Sequence, residues 1–217
     1  MTPEVYPSDE ATGKTRETLG KEMTVAEVMA AVEKDVIFYD DSGGGVTFSG
    51  GEPLMQPDFL FELLDTCRQR DIHTVLDTSG FAPADIFRIA LEKVDAVFFD
   101  LKFMDAGDHK KFTGVSNERI LANFQTAARS GKARVRFPVI PGITDHRENI
   151  GRLAKMAASS GKIKRFDLLP YHRTAAAKYR RLGLKNRMND SAPPTSEQME
   201  MVKEQITRQG FTAHVGG

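Results

Sequence analysis

The sequence predicts an α/β fold, a partial (β/α) barrel of parallel strands, within 217 residues. Short apolar runs alternate with amphipathic segments that carry helix start and stop signals, and each run ends in polar residues or glycine. Alternation of this kind implies parallel neighbours, because parallel strands need a crossover between them. Five clear strands are too few to close an eight-stranded barrel, so the barrel is expected to be open.

Residues 1–22 are polar and without period, and read as an N-terminal arm before the barrel of residues 23–217. Thr24 is placed to cap a helix over residues 25–33, with Glu27 as its capping-box partner. The glycines at 43–45 lead into a first strand at 46–49. Pro57 and Asp58 start a helix whose apolar side holds Phe59, Leu60, Leu63, Leu64 and Cys67. Residues 73–77 form the next strand, and Pro83 opens a helix to about 91. Residues 96–101 are a third strand; Ser116 or Asn117 caps the helix that ends near Gly131. Residues 133–140 are the fourth strand. The helix after Asp145 runs to about 160, where Gly161 stops it. Residues 165–169 are the fifth strand, 196–209 a last helix, and 211–215 a terminal edge strand.

Composition removes several classes of function. Apolar residues make up 40%, enough for a sizeable core, and Lys plus Arg equals Asp plus Glu at 30 each. A net charge of zero argues against a nucleic-acid or anionic-membrane surface. No apolar run approaches the roughly 20 residues of a membrane span, and the first residues are not those of a signal peptide. The single cysteine, Cys67, can make neither an internal disulfide nor a thiolate cage, and a reducing cytoplasmic setting is expected.

Polar residues collect at the strand ends, where parallel α/β folds build their sites. The first strand ends in Ser49, Gly50, Gly51, Glu52 and Pro53; the second in Asp77, Thr78, Ser79 and Gly80. The third ends in Asp100, Leu101 and Lys102, the fourth carries Arg134 and Arg136, and the fifth leads into Tyr171 and His172. Alternation puts Asp100 and Lys102 on one face, and likewise Arg134 and Arg136. Acid and base around one mouth suit a zwitterionic ligand. Gly50 and Gly51 allow backbone to approach a ligand closely, and Glu52 is a candidate acceptor for a ligand ammonium.

Each feature also has a structural reading. The paired glycines suit a tight turn, Asp77 and Thr78 suit a cap, and Asp100 with Lys102 suits an ion pair. His172 alone suits a surface loop. Cys67 reads as core, and Lys110 with Lys111 as a solvated face. Their joint placement at one end of the strands favours a site. The glycines at 43–45 precede their strand, the wrong end for a phosphate site.

The stretch SGGGVTFSGGEPL at residues 42–54 resembles the activating enzymes of glycyl radical enzymes, the pyruvate formate-lyase activase family of radical S-adenosylmethionine (SAM) enzymes. So do LDTSG at 76–80, DLK at 100–102, TGVSN at 113–117, VIPG at 139–142 and LLPYH at 168–172, so the resemblance covers residues 20–217. It implies a radical SAM type of partial barrel. It implies that Gly50, Gly51 and Glu52 bind the SAM amine. Asp77, Thr78 and Asp100 would lie near the SAM carboxylate, with a monovalent cation near Asp77 and Asp100. Leu101 would line the same pocket. Lys102 and Arg136 would contact the methionine carboxylate, and His172 the sulfonium and ribose. The implied reaction is reductive cleavage of SAM to a 5′-deoxyadenosyl radical that takes a hydrogen from a glycine of a glycyl radical enzyme, with flavodoxin or ferredoxin as electron donor.

The family holds a [4Fe–4S] cluster on a C-x3-C-x2-C motif, which this sequence lacks. The expectation is therefore the C-terminal part of an activase, missing the first strand and cluster loop and inactive without those thiolates. A second departure is the run Ala175, Ala176, Ala177 where a glycine turn is common. The alternative is a non-catalytic remnant that docks the partner or binds SAM weakly. An unrelated imine-forming aldolase using Lys102 is opposed by Asp100, which favours the ammonium.

Overall fold

The computed structural model describes residues 20–173 and 191–216. Residues 1–19 of the arm expected over 1–22, and Ala175, Ala176 and Ala177, lie outside them. Eight helices and six strands are labelled here in chain order. Helix α1 (Val25–Val32) carries the expected capping box: the Thr24 side chain accepts from Glu27 N–H, and Glu27 accepts from Thr24 N–H at 2.8 Å. A short turn leads to α2 (Val36–Ser42), capped by Gly43 at φ 63°. Then follow β1 (Gly45–Phe48), α3 (Pro57–Gln69), β2 (His73–Thr78), α4 (Ala84–Lys93) and β3 (Ala96–Asp100). Two helices, α5 (Ala106–Thr113) and α6 (Glu118–Ser130), precede β4 (Ala133–Val139). Helix α7 (Arg147–Ala158), β5 (Arg165–Pro170), α8 (Ser196–Thr207) and β6 (Thr212–Val215) complete the order.

The strands form one six-stranded sheet in sequence order, each pair parallel. This is the expected α/β architecture, with β6 as the expected terminal edge strand and β1 at the other edge. The α2 and α5 helices were not foreseen. Both are short, and α5 includes Gly107 and two lysines, so neither shows an apolar period.

The sheet has two unlike faces, because side chains alternate. Leu76, Val97, Phe99, Val135, Phe137, Phe166 and Leu168 are buried and pack with Leu60, Phe87, Phe124, Leu153 and Ile206 of the helices. Phe99 sits at the centre, edge-on to Phe87 at 5.8 Å and to Phe124 at 5.3 Å. Such pairs contribute roughly 0.5–1.5 kcal/mol beyond their burial. The alternate residues Val75, Asp77, Phe98, Asp100, Arg134 and Arg136 are half-buried or exposed and line the other face. Helices therefore stabilise one face, and the second is left to carry charge. A smaller cluster of Met29, Val32, Leu63, Cys67 and Ile72 fixes α1 against α3.

Candidate functional site

Since all six strands run the same way, their C-terminal ends lie along one edge. The loop after β1 and the end of β2 are joined first. Glu52 accepts from Thr78 Oγ1 at 2.6 Å and Leu54 N–H at 3.3 Å through one oxygen. Through the other it accepts from Ser79 N–H at 3.0 Å and Ser79 Oγ at 2.5 Å. A carboxylate has about four lone-pair directions, so the protein itself occupies the Glu52 side chain. The sequence reading placed that carboxylate against a ligand; the structure uses it to hold Gly50–Gly51–Glu52 onto β2. Gly50 has φ 135°, a conformation open to glycine. A Cβ on Gly50 or Gly51 would meet nothing within 4 Å, so the turn borders open space.

A second network crosses the inner face. Asp77 accepts from Ser49 Oγ at 3.1 Å and from Arg136 Nη1 at 2.5 Å. The Arg136 guanidinium lies 5.5 Å from the centre of the Phe98 ring. Lys102 Nζ donates to Asp100 at 3.4 Å. Burial pushes the Asp100 carboxyl above its ordinary value; Lys102 opposes that, Asp77 adds to it, and Arg136 opposes it. Among the described residues, two buried side-chain atoms have no hydrogen-bond partner: Asp100 Oδ1, an acceptor, and Arg136 Nε, a donor. Unsatisfied buried polar atoms are rare in folded proteins, so each calls for a partner: a water, an ion or a ligand.

Other expected residues are placed differently. Leu101 is 1% exposed and belongs to the core, with its N–H donating to Arg136 O at 3.0 Å. Thr78 is 3% exposed and donates to Glu52. Arg134 is exposed, two residues before Arg136 along the same face. His172 is exposed just beyond β5, next to Tyr171, whose N–H donates to Val139 O. Ser49 and Ser79 were named as strand-end residues without a role, and the structure gives each a hydrogen bond in the site. Asn123 was missed altogether. It is 2% exposed in the middle of α6 and donates to Gly80 O and Ala82 O, both at 2.9 Å. A polar residue of low helix propensity within an apolar helix face was the available signal.

The donor set tests two groups. An unpartnered acceptor, an unpartnered donor and a glycine turn bordering open space fit a small zwitterion such as the methionine part of SAM. They do not fit an iron–sulfur cluster. Clusters take thiolates; the chain has one cysteine, and it is buried with its sulfur 3.8 Å from Met29 Sδ. Among the described residues, no three His, Cys, Asp or Glu side chains are grouped to hold a metal ion. No described helix is long and apolar enough to cross a membrane.

Comparison with known proteins places these features. The family model of the radical SAM superfamily matches residues 6–154. The isethionate sulfite-lyase activating enzyme of Nitratidesulfovibrio vulgaris is 42% identical over 165 residues, 75% of this chain and 53% of that protein. The trans-4-hydroxy-L-proline dehydratase activating enzyme of Clostridioides difficile is 34% identical over 206 residues, 93% of this chain and 68% of that protein. A crystal structure of a domain of the pyruvate-formate lyase-activating enzyme of Bacteroides vulgatus superposes with a TM-score of 0.68 at 32% identity, covering 80% of this chain and 99% of that one. The chain spans about half the length of the first two curated relatives, 53% of each.

Proposed function

This chain belongs to the radical SAM superfamily, among its activating enzymes, and on that premise we propose that it supplies the SAM-binding part of an activase that installs a glycyl radical on a partner enzyme. The observation that carries this reading is the pair of unpartnered buried atoms, Asp100 Oδ1 and Arg136 Nε, in the network that Asp77 ties to Ser49, the residue before the Gly50–Gly51 turn. In this reading the main chain of Gly50, Gly51 and Glu52 receives the methionine amine, while the Glu52 carboxylate braces the turn. Lys102 and Arg136 attract the carboxylate. Asp77 and Asp100, with Thr78 behind them, set the opposite charge and offer a monovalent cation two carboxylates. Leu101 contributes backbone, and His172 faces the sulfonium and ribose. When bound, SAM supplies the sulfonium whose carbon–sulfur bond the family cleaves. Flavodoxin or ferredoxin in a cytoplasmic setting is the expected electron donor.

Calorimetry tests the reading. SAM should bind at least tenfold more tightly than 5′-methylthioadenosine, which lacks the amine and carboxylate; tenfold corresponds to about 1.4 kcal/mol. Equal affinity for the two would show that no methionine zwitterion is read, and would sink the assignment.

The cysteine count favours a second reading, a non-catalytic relative that binds SAM or docks a glycyl radical enzyme without an iron–sulfur cluster of its own. Anaerobic incubation with iron and sulfide separates the two. A brown, sulfide-containing protein with four irons per chain, roughly one [4Fe–4S] cluster, would refute the second reading. A colourless product that still binds SAM would support it.

A further inference from the structure

Residues 102–104, which begin two residues after the end of β3, are held by side chains at the starts of two helices. Asn149, in the first turn of α7, donates to Lys102 O at 2.9 Å and accepts from Met104 N–H at 2.8 Å. The same Asn149 amide donates to Thr144 O, also at 2.9 Å, which ties the loop after β4 to the loop after β3. Asn117, at the start of α6 and 1% exposed, donates to the intervening Phe103 O at 2.9 Å. Asn117 makes no side-chain hydrogen bond to its own helix, so its amide is given to this loop instead of to a cap. Thr144, fully buried, completes the brace by donating to Pro138 O at 2.6 Å and accepting from Ile140 N–H at 2.8 Å.

We propose that Asn149 is a positioning residue: it fixes the Lys102 backbone, and so determines where the Lys102 ammonium stands beside Asp100. Three facts carry this. Asn149 uses both ends of its amide on residues 102 and 104, as only a side chain with donor and acceptor can. The held segment begins two residues after Asp100, so its backbone sets the aim of the next inward side chain. Lys102 is 30% exposed along its side chain and makes its hydrogen bond to Asp100 at 3.4 Å, a long contact that alone would not confine a flexible lysine. The consequence for ligand binding rests on the SAM reading of the mouth; the placement of Lys102 does not.

The test is residue-resolved reductive methylation of lysines with formaldehyde and a borane, read by mass spectrometry on the full chain. The variants are Asn149→Asp, which keeps the acceptor but loses both donors, and Asn149→Ala. Asn123→Ala is the control, a buried amide of α6 that holds the loop after β2 instead. Lys102 should react at least threefold faster in both Asn149 variants, with Lys155 and Lys203 unchanged. Asn123→Ala should lower the melting temperature without altering Lys102. Thermal melts establish that each variant is folded. If neither Asn149 variant folds, Asn117→Ala is read in the same way, with the same expectation. An unchanged Lys102 rate, or an equal rise in Asn123→Ala, overturns the proposal. SAM titration of the same proteins keeps the two ideas apart. If Lys102→Met leaves SAM affinity intact the ligand reading fails, whatever the methylation rates show.

Discussion

Arg136 bypasses Asp100, its register partner on the adjacent strand, and pairs with Asp77 one strand further on at 2.5 Å. Neighbouring strands lie about 4.8 Å apart, so the side chain reaches over β3 and passes the ring of Phe98, itself the register partner of Asp77. The charge of Asp77 is thereby matched, whereas Asp100 is left with Lys102 and one unpartnered oxygen. One long arginine thus decides which carboxylate is satisfied within the fold and which keeps an unpartnered oxygen.

Replacing Arg136 with Gln should weaken both fold and ligand binding. The ion pair is mostly buried, with side-chain exposures of 21% and 19%, so removing one partner leaves Asp77 with Ser49 alone. The expected loss is about 1–3 kcal/mol, below the full cost for a wholly buried pair. Urea unfolding measures it. Arg136→Gln with Asp77→Asn should recover part of the loss, since the orphaned charge is gone. A double variant no more stable than the sum of the two singles would contradict the pairing.

Asp100 makes stability depend on pH. Burial raises its carboxyl above the ordinary 3.8. A group whose folded-state value is raised favours the protonated fold. Its contribution is complete below the unfolded value and is lost as pH rises through the folded one. Relative to Asp100→Asn, the wild-type protein should therefore lose stability on going from below pH 3.8 upward, then level off. Urea midpoints for the two proteins across that range check the sign. A difference that grows in favour of the wild type with rising pH would mean that Lys102 and Arg136 outweigh desolvation.

Gly80 should resist replacement by alanine for two independent reasons. Its φ is 72°, and an added Cβ would lie 2.2 Å from Phe99 Cζ. The first costs about 1–2 kcal/mol for an L side chain, and the second forces the central phenylalanine to move, at about 1–3 kcal/mol. Gly80→Ala is expected to lose about 2–5 kcal/mol in chemical denaturation. Gly51→Ala, where nothing lies within 4 Å and φ is not positive, should change stability far less and serves as the comparison.

The alternation of apolar runs was legible because β2, β3 and β4 bury every second residue, and β2 and β3 end in polar residues. Helix starts were legible where chemistry is local, as with Thr24 and Glu27. Pairings were not. Which acid Arg136 chooses depends on side-chain reach across strands, and register alone points to Asp100. Three of the four hydrogen bonds to Glu52 come from residues 26 and 27 positions away, so a sequence shows the carboxylate without most of its partners. The asparagine braces were invisible for the same reason: Asn117 reads as a helix cap, and only the fold reveals that its amide faces Phe103 O.

Glu52 offers the sharpest separation of a brace from a ligand. Its oxygens accept four hydrogen bonds, two of them from the backbone N–H groups of Leu54 and Ser79. Hydroxyls of Thr78 and Ser79 can turn round, but a backbone N–H cannot accept. Glu52→Gln therefore sets an amide nitrogen against one N–H whichever way it is rotated, and should cost about 1–3 kcal/mol. Thr78→Val removes a donor to the same oxygen, so the two changes should be coupled by at least about 0.5 kcal/mol in a double-mutant cycle. A carboxylate kept only for a ligand would show neither effect in the ligand-free protein. Independent, additive losses from Glu52→Gln and Thr78→Val would remove the brace and return Glu52 to the ligand.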